Sequence, residues 1–475
     1  MRKYKKIKLT QRLKRVRKEM NPNSLVFIIK QFVSNLDYTN LEKQLFKSNY
    51  GQYPLPLHVS LGVWMYSYSQ GILSYRVVAK KCKTDDEFYY LSEGFEPSPA
   101  YLEKCKLIIF PKLKSLFDSF SHHLKDSGII VDEVFGLNGV KVPTWASLRQ
   151  SKTEDTINKE INKIESNLPE SEKKLMKINI TSPSTGIMKK DGKYFQGVNV
   201  QFAINQDQFI NVAEVFRKSC DNGLLLPMYQ KLCGFWQRLI LTVALLVDNG
   251  YWFIGDLEKL DSSKGHLIII PSPEVLKKER KRKSNMMGYE REKFEYIERE
   301  NAYKCPSQKT LTFRRVVSKK DKGTTRKYSL YQCNDCPFCT RKADCLGGNK
   351  SKFKQIRTTV ESLAIKNIKA TYNSEPNKEL YKLRKVINEP VHGQMFFNQN
   401  IFVLHCIRDD CIEGEIYLLA LISNLKKAIK LNYDVKSFRF SVTFFVLFFE
   451  QGIIRVNYVK LATNNLNKFI EFLVH

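Results

Sequence analysis

Apolar and polar positions change texture several times along this chain. Over residues 24–125 the apolar and aromatic side chains recur at three- and four-residue spacings, as in Leu57, Leu61, Val63, Trp64, Tyr68 and Ile72. Strand-like alternation is absent there, which predicts several packed helices. After Gly128 short apolar runs bounded by turn residues predict strands at residues 129–131, 135–142, 194–204, 209–215, 240–247 and 266–270. Helical spacing returns over 379–386 and again over 413–429, where Leu418, Leu419, Leu421, Ile422 and Leu425 form an apolar face. Two charge-dense stretches interrupt this order. Residues 151–178 suit a solvated helical excursion, and residues 274–299 lead into a segment rich in Cys. Residues 431–475, rich in Phe and Val, fit either a strand pair or a helix.

Length and charge narrow the function classes. A chain of 475 residues can bury a sizeable core and suggests two to four structural units. Its 78 Lys+Arg against 48 Asp+Glu leave a formal charge of +30, a positive field suited to a polyanion, so nucleic acid is the first candidate partner. Residues 1–23 form a basic arm with no apolar core for a signal peptide, and the apolar stretch at 440–449 is too short to span a bilayer. The expectation is a soluble, cytoplasmic protein without a membrane partner. Five of the eleven Cys fall between Cys305 and Cys345, which reads as a ligand cluster rather than a disulfide framework.

Three constellations could carry chemistry. The apolar run at 239–247 ends on Asp248, followed by Asn249-Gly250-Tyr251, so a buried strand delivers a carboxylate to the open end of a sheet. Asp is also common as a turn cap. Cys333-x2-Cys336-x2-Cys339-x5-Cys345, with Cys305 upstream, has the spacing of thiolates that share a tetrahedral Zn2+ through four of the five. An iron–sulfur cluster is the rival, although the last spacing is longer than in the ferredoxin run and no Pro follows it. A segment that binds no metal is the third reading. Tyr381-x2-Arg384-x4-Glu389 places an aromatic, a guanidinium and a carboxylate on a predicted helix, where an ordinary surface ion pair would look the same. His392 lies one turn further on.

These pieces, with Gly71-Ile72-Leu73-Ser74-Tyr75-Arg76, Asp86-Glu87-Phe88-Tyr89-Tyr90-Leu91, Asn138-Gly139-Val140-Lys141-Val142, Gly197-Val198-Asn199-Val200-Gln201 and Leu418-x-Ala420-x3-Asn424-Leu425, occur in an order that resembles the DDE insertion-sequence transposases of bacteria. The resemblance runs over roughly residues 24–430. It implies an α/β fold: an RNase H-like mixed-sheet catalytic core at 126–272 and 375–430, a helical N-terminal DNA-binding domain at 24–125, and a charged, Cys-rich insertion at 273–374. It also implies a two-metal Mg2+ site, double-stranded DNA partners (terminal inverted repeats and target DNA), assembly as a homo-oligomer on DNA, and association with the bacterial nucleoid. Asp248 and Glu389 fall on the second and third acidic metal ligands, and Tyr381 and Arg384 on the accompanying Tyr-Arg pair. Two positions depart from the pattern. Asn138 stands where the family has the first Asp, and Phe396 where it has a Lys. An amide offers Mg2+ an oxygen without charge, so the expectation is strong DNA binding with impaired cleavage, and the alternative is a transposase-derived DNA-binding protein without catalysis. Asp132 is the nearby substitute carboxylate, about 20 Å from position 138 along a continuous strand.

Overall fold

The computed structural model describes residues 10–39, 41, 55–130, 133–146, 151–152, 178–179, 182–236, 243–260, 266–275, 289, 293–321, 324–347, 351–359, 362–431, 433–438, 440–441, 445–449 and 452–456. The start of the basic arm, Asp132, most of the charge-dense stretches and residues 457–475 lie outside them. The chain divides into two compact units, residues 1–251, 261–269 and 375–475 in one and residues 252–260 and 270–374 in the other.

The first unit opens with helices α1 Gln11–Glu19, α2 Leu25–Ser34, α3 Leu57–Ser69, α4 Tyr75–Thr84, α5 Asp86–Leu91, α6 Pro99–Ile109 and α7 Leu113–Asp126. Their starts follow local chemistry. Ser24, Asp85 and Ser98 accept hydrogen bonds from the first-turn N–H groups of α2, α5 and α6, and Pro99 opens α6 where no N–H is needed. Helix α3 is buried around its circumference, Trp64 and Tyr68 included, so the neighbouring helices pack around it. A later helix of this unit, α10 Asp409–Lys430, packs on α3 and α7. Inside that packing Lys106 Nζ donates to Glu415 Oε1 at 2.7 Å, as does Tyr68 Oη at 2.7 Å. Both charges are fully buried, so each needs the other to be tolerated.

The sheet of this unit contains β1 Val134–Pro143, β2 Gly186–Lys190, β3 Lys193–Asn205, β4 Ile210–Phe216, β5 Ala244–Val247 and β6 Leu267–Ile269. Its order is β2-β3-β1-β5-β6, with β4 also on β3. Strand β1 is central, antiparallel to β3 and parallel to β5. Residues 129 and 130, predicted as strand, lie outside one, and the strand begins at Val134. Helices α8 Leu225–Trp236 and α9 Glu375–His392 pack on the sheet, α8 on β3 and β4, α9 on β1, β3 and β5. The result is a mixed α/β architecture with a mixed sheet, consistent with an RNase H-like core.

The second unit is built on an antiparallel sheet, β7 Glu295–Ile297, β8 Ala302–Lys304, β9 Thr310–Asp321, β10 Thr324–Cys333 and β11 Gln355–Thr359, in sequential order. Its core gathers Phe294, Leu311, Tyr331 and Ile356 with four of the cysteines. Near the C-terminus Phe445–Phe449 and Gly452–Val456 form an antiparallel pair. No helix among the described residues is long and apolar enough to cross a membrane.

Candidate active site

Strand pairing brings Asn138 and Asp248 together. The parallel register of β1 and β5 sets Leu137 opposite Val247, so the next residue on each strand, Asn138 and Asp248, occupies the same level on the same face. Helix α9 covers that face. Its residues at four-residue intervals meet the sheet in turn: Arg384 Nη2 lies 3.7 Å from Asp248 Oδ1, the Asn388 amide rests on Gly136, and His392 Nε2 is 3.4 Å from Asn138 Nδ2. A Cβ at Gly136 would sit 2.5 Å from Asn388 Oδ1, so a larger residue here would displace that amide.

The face is under-satisfied in hydrogen bonds. Asn388 is 1% exposed, and neither its Oδ1 nor its Nδ2 has a partner. Arg384 Nε is also buried without one. Each such group carries a desolvation cost that an incoming ion or phosphate could remove. Burial and then the Arg384 charge push the His392 imidazole down to about 4, so it is neutral near pH 7.

The opposite face of the same strands is saturated. Gln201, paired with Gly139, donates from Nε2 to Asn199 Oδ1 at 2.8 Å and to Asp221 Oδ1 at 2.9 Å, and accepts from the Tyr251 hydroxyl. Asn199 Nδ2 donates to Asp221 Oδ1 at 2.9 Å. Tyr251 lies just past Asp248, and a Cβ at Gly250 would lie 3.4 Å from Asp221 Oδ2, so this network braces the turn that presents Asp248. Asp221 gave no signal in the sequence, because it looks like one more turn residue. Asn199 and Gln201 did have one: two polar residues at a spacing of two within the otherwise apolar run of residues 198–204.

The remaining candidates are placed as follows. Arg384 Cζ lies 5.8 Å from the Tyr381 ring centroid. Glu389 follows Asn388 on α9 and is exposed. Phe396 is buried in the π-helical turn Gly393–Phe397 that ends α9. The donor chemistry of Asp248 and Glu389 suits Mg2+; Asn138 adds no charge, and its Oδ1 already accepts the Gly139 N–H at 3.1 Å.

In the other unit Cys305, Cys333, Cys336, Cys339 and Cys345 line one small cavity. Backbone N–H groups of Lys309 and Lys354 each point at a sulfur, of Cys305 and Cys336, at 3.2 Å. Burial pushes the Cys333 thiol up to about 12 and Cys345 to about 11. Among the described residues no group of three or more His, Cys, Asp or Glu is arranged to hold a metal ion, here or at the sheet. The geometry therefore does not support the expected zinc ligation.

Residues 304–429 match the family model described as a transposase DDE domain. The match takes in Tyr381, Arg384, Glu389 and the cysteine segment but not Asn138 or Asp248. No curated protein and no solved structure gave a match. The match supports a DDE transposase.

Proposed function

We propose that this chain is a DDE transposase that binds the ends of an insertion sequence, cleaves DNA with Mg2+ and transfers the freed strand, at a rate lowered by Asn138. The observation that carries this reading is the placement of Asp248 beside Asn138 under Arg384, on a face with orphaned buried polar groups. Bound Mg2+ would supply an activated water and neutralise charge on the reacting phosphate. Asp248 and Glu389 would hold it. In that reaction the water oxygen would attack phosphorus as the P–O3′ bond breaks, the departing 3′-oxygen would take up the proton that the water loses, and the resulting 3′-hydroxyl would attack a target phosphodiester and displace its 3′-oxygen. Arg384 would clamp a phosphate oxygen with Tyr381 beside its guanidinium, and neutral His392 would hold the Asn138 side chain. The helical domain and basic arm would contact the DNA backbone, and the protein would act as a homo-oligomer at the nucleoid. The division at residues 126 and 273 belongs to the same reading.

Asn138 also favours a second reading, a descendant that binds DNA without cutting. One experiment separates them: Mg2+-dependent cleavage of a duplex carrying the element's ends. Asn138→Asp should raise cleavage about tenfold or more, and Asp248→Asn in that background should lower it by on the order of a hundredfold. A revertant that binds the duplex but leaves it intact supports the binding-only reading.

A further inference from the structure

A second candidate site lies in the first unit. A cavity of about 610 Å3, within the range of small-molecule sites, is lined by Lys426, Lys427 and Lys430 from the end of α10. Among the described residues no Asp or Glu lines it. Lys427 Nζ donates to the neutral Gln208 amide at 2.6 Å. Burial and then the Lys430 charge push Lys426 and Lys427 down, Lys427 to about 8; Asp207 partly offsets this at Lys427 but does not line the cavity. The helix dipole explains cations in the last turn of α10, but not a lined volume lacking counter-charge.

The second observation is Gln399. It is 8% exposed, it lines the cavity, and its Oε1 has no hydrogen-bond partner. Gln394 and Asn398 line the same wall. Such a wall asks for a ligand with both a negative charge and N–H or O–H groups, since a simple anion would satisfy the lysines and leave the buried amide oxygen unpaired. A nucleotide has both.

We propose that this cavity binds one nucleotide unit, with Lys426, Lys427 and Lys430 on its phosphate and the amides of Gln399, Gln394 and Asn398 on its sugar or base. The same chemistry is offered by a free nucleotide and by a residue of a DNA strand. Nothing in the proposal depends on metal binding at Asp248 or Glu389.

The test uses the full chain, dAMP by calorimetry and a short fluorescein-labelled single-stranded oligonucleotide by anisotropy. Lys426→Ala/Lys430→Ala is compared with Lys259→Ala/Lys366→Ala, which removes the same charge from exposed positions of the second unit. Loss of roughly tenfold for both probes in the cavity variant alone supports the proposal with a free nucleotide as ligand. Loss for the oligonucleotide alone supports it with a strand as the source. Gln399→Leu, which keeps the charge, should weaken the same probe about threefold to tenfold. If the cavity variants bind both probes as the control pair does, the proposal is overturned.

Discussion

The two faces of β1 differ in how their polar groups are paired. On the Gly139 face Asn199, Gln201, Asp221 and Tyr251 hydrogen-bond one another. On the Asn138 face the Asn388 amide and Arg384 Nε are buried without partners. Proteins rarely leave such groups orphaned, because each costs about 1–3 kcal/mol. One face is therefore scaffold that has reached its final hydrogen bonding, and the other is a surface still short of a charged or polar partner.

Leucine substitutions break this contrast most sharply. Gln201→Leu would leave Asp221 and the Tyr251 hydroxyl short of partners, so it should destabilise the fold by about 3 kcal/mol. Asn388→Leu, of similar size, removes an unpaired amide and should be neutral or stabilise by about 1 kcal/mol while lowering cleavage. Denaturant unfolding of both variants measures this. Equal losses of stability would mean that the two faces are not different in kind.

A smaller effect sharpens the account of the Asn138 face. His392 titrates near 4 in the fold against 6.5 when unfolded, so between those values the unfolded chain binds more protons. Its contribution to stability is complete above about 6.5 and is lost as pH falls toward 4. His392→Gln should flatten the pH dependence of stability across that window; a slope identical to wild type would show that His392 is not buried beside Arg384.

Much of this was legible in the sequence, and the reasons differ by element. The helical domain showed in three- and four-residue spacings, and β5 in the apolar run that ends on Asp248. Asn138 and Asp248 are 110 residues apart, so their alignment depends on strand register, which no local pattern carries. The sequence pattern singles out Tyr381, Arg384 and Glu389 on α9; it does not single out Asn388, which with Arg384 and His392 meets the sheet at regular four-residue spacing. Asn388 drew no notice because an amide next to Glu389 reads as surface. The cysteine spacing pointed to one locus, and the five residues do line one cavity, but spacing alone does not orient sulfurs.

The central claim is that the Asn138 face is the place where a divalent cation and a phosphate would bind. The most direct measurement is a Mn2+ titration of the full chain by calorimetry, with wild type, Asn138→Asp and Asp248→Asn compared. The account predicts that Asn138→Asp binds about tenfold more tightly than wild type, through the added negative charge, and that Asp248→Asn binds more weakly. Equal affinity in all three would contradict it.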